Sequence, residues 1–388
     1  MDYITAGESH GPKLTTIVSG VPSGVSIDLK RINSDLSRRQ SGYGRGGRQT
    51  IERDQAEITS GVRFGRTTGA PISIDVMNRD WANWEARMAH FGPAPFDYDR
   101  EVTPRPGHAD LVGVLRTNTD DCRNILERSS ARETAARVAA CGIAKEFLAE
   151  LDVEVMSYVV SIGEASMDPE SPRQAAEHEQ VAVEFSEVRC PDEKVSEAMK
   201  TEIDKAKRAG ESLGGTFRIV AKGLVPGLGS YTSGLERLTS KIGAAIFSIP
   251  AIKGVEFGLG FDAARRVGSA VHDPILLEDG VFTRKTNGAG GLEGGMTTGM
   301  PLVLTAAMKP IPTLMNPLQT VNIDTLEEAD ASRERSDVCA VPAAAVVAEG
   351  EVAMVLANAY IESFGSTCLA DIKANISHYM ARLETMGR

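Results

Sequence analysis

The chain has 388 residues, of which 42% are hydrophobic, and a formal net charge of -11 at pH 7. That length is enough for one large domain or two, each with a packed core. The chain holds no apolar run of the roughly eighteen residues that a membrane helix needs, and its acidic balance speaks against a binder of duplex nucleic acid, which carries a basic face.

Met1-Asp2-Tyr3-Ile4-Thr5 opens the chain without the basic start and apolar stretch of a signal peptide, which points to the cytoplasm. Gly7-Glu8-Ser9-His10-Gly11 follows, and two β-branched clusters, Leu14 to Val18 and Val25 to Leu29, then read as strands. From Arg38 to Arg48 the arginines Arg38, Arg39, Arg45 and Arg48 are spaced by glycines, with Asp28, Asp35, Glu52 and Asp54 flanking them. This predicts a loop that holds a small polyanion, because guanidinium forks match phosphate and carboxylate oxygens bidentately. Its glycines and like charges predict mobility in the absence of substrate.

Ile72 to Val76 reads as a further strand. Ser130-x-x-Glu133 has the pattern of a capping box and predicts a helix start, after which Val138, Cys141, Leu148 and Leu151 share one face. Val153 to Ile162 and Thr216 to Val225 read as strands, separated by a polar surface loop from Glu164 to Gln180 and an exposed helix opened by Pro191 and ending near Gly210. Ser233-x-x-Glu236 predicts another helix, with Leu235, Leu238, Ile242, Ala245 and Ile249 as its stripe. After the glycine-rich stretch from Gly290 to Gly299 come a last strand, Leu302 to Met308, and a helix from Pro342 to Phe364 with the proline in its first turn. Strands at both ends and helices between them predict an α/β protein with mixed or antiparallel sheet. No low-complexity linker divides it, so residues 1–388 are expected to form one domain.

Five cysteines, Cys122, Cys141, Cys190, Cys339 and Cys368, are scattered without C-x-x-C spacing. They are expected to be reduced packing residues, with neither a disulfide framework nor a metal site. Of the six histidines, His10 and His108 stand beside glycines, where a backbone can approach a ligand and an imidazole can exchange a proton near neutrality. His90, His178, His272 and His378 lack that setting and are read as structural or exposed. Arg128-Ser129-Ser130-Ala131-Arg132-Glu133-Thr134 combines a predicted helix start, hydroxyls and two arginines, the makeup of a phosphate site or of a plain cap. The glycines from Gly290 to Gly299 match neither the P-loop nor the dinucleotide fingerprint.

Taken in register, Gly7-Glu8-Ser9-His10-Gly11, Arg39 to Arg48, Arg105-Pro106-Gly107-His108-Ala109-Asp110, Arg128 to Thr134, Lys309 to Thr313 and Arg335-Ser336-Asp337 resemble the chorismate synthase family from about Tyr3 to beyond Ala357. The resemblance implies a single-domain α/β fold, a β-α-β sandwich with helices packed between antiparallel sheets, assembled as a homotetramer. It implies a 1,4-anti elimination of phosphate from 5-enolpyruvylshikimate 3-phosphate to give chorismate, the last step of the shikimate pathway, dependent on reduced FMN. His10 resembles the histidine that protonates the departing phosphate, His108 the one that protonates reduced flavin near N1, and Asp337 the carboxylate that works with flavin N5 in removing the C6 proton. Substrate anions are implied at Ser9, Arg39, Arg45, Arg48 and Arg132. FMN contacts are implied at Arg128, Ser129, Ser130, Pro250, Ala251, Gly294, Lys309, Pro310, Ile311, Pro312, Thr313 and Arg335. NADPH is a further implied ligand, at Arg39 and Arg45, for members that reduce their own flavin.

Three positions depart from the family pattern. Cys141-Gly142 puts a glycine inside a helix and predicts a softer one, Glu351 stands where an apolar residue is usual and is expected to be paired or to reach solvent, and Pro250 leaves only backbone to meet a cofactor. Two other readings stand beside the enzyme: an FMN-binding homologue without turnover, and an RNA-binding protein using Arg38 to Arg48, which resembles RGG-type segments.

Overall fold

Apolar residues on alternate positions build two antiparallel sheets in the computed structural model, which describes residues 1–46, 53–278, 280–334 and 337–386. Strands β1 (Asp2–Ala6), β2 (Lys13–Ser19), β3 (Ala56–Ile58) and β4 (Ile72–Met77) form the first, in the order β1-β2-β4-β3. Strands β5 (Glu154–Ile162), β6 (Ala165–Ser166), β7 (Gly215–Lys222), β8 (Ile252–Phe257) and β9 (Leu302–Met308) form the second, in the order β8-β9-β7-β5-β6. In the first sheet Thr16 faces Ile74, so Leu14, Thr16 and Val18 share an inner face with Ile72, Ile74 and Val76.

The helices are α1 (Leu29–Gln40), α2 (Asp110–Thr117), α3 (Arg123–Ser129), α4 (Thr134–Ala149), α5 (Glu193–Ala209), α6 (Leu238–Phe247), α7 (Val341–Phe364) and α8 (Leu369–Met386). Helix α4 packs on β2 and β4, α7 packs on β5 and β7, and the two helices pack on each other. The result is the expected sandwich of helices between antiparallel sheets, joined by one cluster of buried residues. Helix α7 explains its own composition. Val346, Val347 and Ala348, which follow one another around the helix, are all buried, as in a helix that is apolar all round. By length and hydropathy it could cross a membrane, but 83% of that stretch is buried inside the protein.

Glycine lets these helices cross closely. A Cβ on Gly142 would stand 3.0 Å from Ile32 Cγ1 of α1, and one on Gly350 would stand 2.8 Å from Cys141 Cβ. Helix α4 runs unbroken through Cys141-Gly142. Close packing at this crossing offsets the propensity lost to the glycine.

Several starts differ from the expectation. Val25 to Leu29 makes only an isolated bridge, Ser26 to Arg66, because Asp28 accepts from Lys30 N and caps α1. The presumed loop of arginines therefore begins inside a helix, with Arg38 and Arg39 in its last turn. Ser130 caps the short turn Ala131–Glu133, while the Glu133 carboxylate turns to Thr5 and Arg137, so the two do not form a capping box. Ser233 and Glu236 form only a backbone turn, and α6 starts later, at Leu238. Residues 47–52, which include Gly47 and Arg48 at the end of the expected mobile loop, lie outside the described residues.

Glu351 is paired, as expected: it is 4% exposed and accepts from Tyr3 Oη at 2.6 Å and from Arg137 Nη1 at 3.2 Å. Burial raises its carboxyl above the usual range, and the bonds from Tyr3 and Arg137 oppose that only in part. A raised carboxyl stabilises the fold below the pKa of the unfolded chain, and that contribution is lost as pH rises through the folded value. Glu351→Gln, which keeps an acceptor for Tyr3, should raise the thermal midpoint at neutral pH, with the gap closing as pH falls into the carboxylate range. A variant that melts below the parent at every pH would show the ion pair to be net stabilising.

Candidate active site

A cavity of about 930 Å³, in the range of small-molecule sites, opens where the β1–β2 loop, the end of α1, the loop before α2, the α3–α4 junction, the end of β9 and the start of α7 converge. The glycine-flanked His10 lies in the first of these loops and is 8% exposed. Its Nδ1 stands 2.9 and 3.1 Å from the two carboxylate oxygens of Glu127, and its backbone N donates to the same carboxylate at 2.8 Å. The ring stacks on Trp84 with centroids 3.9 Å apart. Ser9 beside it donates its backbone N to Glu127 O. Burial works to raise the Glu127 carboxyl, but the bonds from His10 and the charge of Arg123 outweigh it and hold the group below the ordinary range.

The second histidine is built in the same way. His108 Nδ1 meets Asp110 Oδ1 at 2.5 Å, and Arg105 braces that carboxylate through Nε at 2.9 Å while donating from Nη1 to Thr313 Oγ1. Asp110 is fully buried in the first turn of α2. Burial acts to raise its carboxyl, yet the bonds from His108 and Arg105 hold it well below the usual range.

The three described arginines of the expected anion site, Arg39, Arg45 and Arg132, all line the cavity. Arg39 completes the buried face of α1 after Ile32 and Leu36, donating to Thr134 Oγ1 at 2.9 Å and to Ala131 O at 2.8 Å. The fully buried carboxylate of Asp54 stands between Arg39 Nη1, at 3.4 Å, and Arg132 Nη1. Arg132 also donates from Nε to Asn78 Oδ1 at 2.9 Å. Burial pushes the Arg39 guanidinium down to about 10 against the pull of Asp54, with Arg132 and Arg45 adding to the fall. Arg45 Nη1 pairs with Asp337 Oδ2 at 2.7 Å, and Gly46 N donates to Asp337 Oδ1 at 2.6 Å. The buried Nε of Arg45 has no partner among the described residues. Arg38 turns the other way, its guanidinium forked on Glu349 at 2.8 and 2.9 Å. Among the described arginines of the cluster, Arg38 thus faces away from the cavity that Arg39 and Arg45 line.

Of the residues implied for a cofactor, Arg128, Ser129, Ser130, Pro250, Ala251, Lys309, Ile311, Pro312 and Thr313 line the same cavity. Lys309 Nζ donates to Gly107 O at 2.8 Å, tying the end of β9 to the loop of His108. Arg128 spends its guanidinium on Thr5 and Gly7 of the neighbouring strand and loop. Pro310 and Gly294 are not on the cavity wall. Gly294 sits at a hairpin tip with φ of 59°, a left-handed conformation that accounts for the glycine by itself. Arg48 and Arg335 lie outside the described residues. Ala340 just before α7 and Ala343, Ala344 and Val347 on one face of it supply an apolar wall. Sequence reasoning missed Glu127, Asn78 and Trp84, whose partners come from distant parts of the chain, took Asp54 only as a flanking charge, and gave Asp110 and Arg105 no role although both pair locally around His108.

The chorismate synthase family model matches residues 1–361. A chorismate synthase of Rubrobacter xylanophilus is 54% identical over 388 residues, 100% of this chain and 98% of its own length. That of Bacillus subtilis is 51% identical over 386 residues, 97% of this chain and 98% of its own. A crystal structure of a chorismate synthase, 40% identical, superimposes with a TM-score of 0.80 over 99% of this chain and 98% of that one. Full-length likeness at this level extends the agreement of motifs and cavity to the whole molecule, and the chain belongs to the chorismate synthase family.

Proposed function

We propose that this cavity is where 5-enolpyruvylshikimate 3-phosphate loses its phosphate, with His10, His108 and Asp337 moving protons and Arg39, Arg45 and Arg132 holding the anionic groups of the substrate. The observation that carries the assignment is the convergence of these six side chains on one cavity. The substrate bears two carboxylates and a phosphate, and the Nε of Arg45, which has no partner among the described residues, offers a donor to one of them. The apolar face of α7, the hydroxyls of Ser129 and Ser130, and Lys309 suit a flat ring system with a phosphate tail, so the residues present fit FMN. When bound, reduced FMN supplies electron density to an allylic system that a simple base cannot discharge.

The elimination breaks the C3–O bond to phosphate and the C6–H bond, and no net oxidation occurs. Protonated His10 gives its Nε2 proton to the departing phosphate, while Glu127 keeps the ring oriented through Nδ1. Asp337 receives the C6 proton. Its carboxylate is engaged by Arg45 and Gly46 N, and a substrate anion competing for Arg45 would loosen that hold. His108, oriented by Asp110, holds a proton against the reduced cofactor.

Under the same reading residues 1–388 act as one unit in the cytoplasm and assemble as a homotetramer. Exposed Ile275, Leu277, Val281 and Phe282 on one hairpin support burial against another copy. Anaerobic turnover with chemically reduced FMN, repeated with oxidised FMN and NADPH, tests the assignment. Phosphate and chorismate should form with prereduced flavin, and product in the second reaction would add a flavin reductase activity. Folded, FMN-bound protein that forms no product under either condition would overturn the proposal in favour of a binding module.

A further inference from the structure

We infer that Glu127 is the positioning residue for the acid His10, fixing both the orientation of the imidazole and the nitrogen that faces the departing group; this rests on the reading of His10 given above. Glu127 is 3% exposed, and a carboxylate so buried needs a reason to be charged. Three contacts supply it. Both oxygens lie within 3.1 Å of His10 Nδ1, and His10 N donates to Oε2 at 2.8 Å. Arg123 is a weaker partner at 3.4 Å, since its other terminal nitrogen is engaged by Glu334 at 2.8 Å. The carboxylate is thus held chiefly by the histidine, and the histidine by the carboxylate.

The consequence is a fixed tautomer. With Nδ1–H donated to Glu127, the ring exchanges protons with the cavity through Nε2. Once that proton is given up, the neutral ring is already in its hydrogen-bonded form and no group has to reorient. Trp84 stacks on the ring at 3.9 Å and blocks rotation about the bond to the imidazole. The backbone of Glu127 also receives Ser9 N at 2.9 Å, so one residue of α3 holds both the loop and its side chain. His108 and Asp110 resemble this pattern, but Arg105 Nη2 also stands 3.0 Å from His108 Nδ1. Arg105 shares both oxygens of Asp110, at 2.9 and 3.2 Å, so that carboxylate has a close counter-charge, whereas Glu127 has Arg123 at 3.4 Å beside His10.

Glu127→Gln in the full chain tests this. With prereduced FMN, kcat should fall on the order of 10²-fold while KM for substrate and FMN affinity stay within about threefold, and Glu127→Asp should recover most of the loss. The FMN-free protein gives an independent readout. In histidine-labelled protein the Nδ1–H proton of His10, identified by its absence in His10→Ala, should resonate far downfield, move upfield in Glu127→Gln and stay downfield in Glu127→Asp. Wild-type kcat in folded Glu127→Gln, or a His10 resonance that does not move, would overturn the inference. If Glu127→Gln fails to fold, Glu127→Asp decides: loss of the downfield resonance with wild-type kcat sinks it. Should the wild type itself form no chorismate, the assignment of His10 fails while the resonance still reports the pair.

Discussion

His10→Ala is expected to lower kcat by roughly 10² to 10⁴ while changing FMN affinity by less than about threefold, the range set by loss of a general acid. The separation of the two effects follows from where the ring sits. Its ring meets Glu127 and Trp84, on the side of the loop and α3. Removal leaves the backbone bond from His10 N to Glu127 in place, and Arg123 remains beside the carboxylate, so the loop keeps its anchor. Fluorescence titration of FMN and steady-state turnover on the same preparation, with circular dichroism as the check on folding, measure both. Equal losses of affinity and kcat would remove His10 from phosphate protonation and make it a binding residue.

What could be read from the sequence and what could not divides along a physical line. Leu14 to Val18, Ile72 to Val76 and Leu302 to Met308 were legible because inward residues of a strand alternate or cluster locally, and each became a strand with nearly those bounds. Helix α1 was not legible. Its buried face runs Ile32, Leu36, Arg39, so the apolar stripe ends in a guanidinium, and charge there reads as loop rather than helix. The same residue shows why: Arg39 is buried only because Thr134, Ala131 and Asp54 arrive from elsewhere in the chain. The two histidines stood out through their glycine neighbours, whereas the Glu127 that holds His10 is 117 residues away and no spacing rule reaches it. Serine three residues before glutamate marked Ser130 and Ser233 alike, yet neither forms the reciprocal bonds of a capping box.

Asp54→Ala should lower the stability of the ligand-free protein by about 3 to 5 kcal/mol, the usual effect of removing one partner from a buried ionic cluster. Asp54 has no exposed side-chain surface and stands between the guanidiniums of Arg39 and Arg132, so its loss leaves two cations facing each other at the cavity wall. Arg39 already bears the strain of burial and of its neighbours Arg132 and Arg45. The absent charge can be replaced from solution. An anion held by the same arginines restores the balance, and ligand binding stabilises the folded state by mass action. Inorganic phosphate should therefore raise the thermal midpoint of Asp54→Ala by more than it raises that of the parent protein. Asp54→Asn, which keeps the shape and one acceptor, should fall between the two. A phosphate-induced shift that is smaller in the variant than in the parent would mean that Asp54 orders the arginines for the anion, and that its role is to build the substrate site rather than to neutralise it while empty.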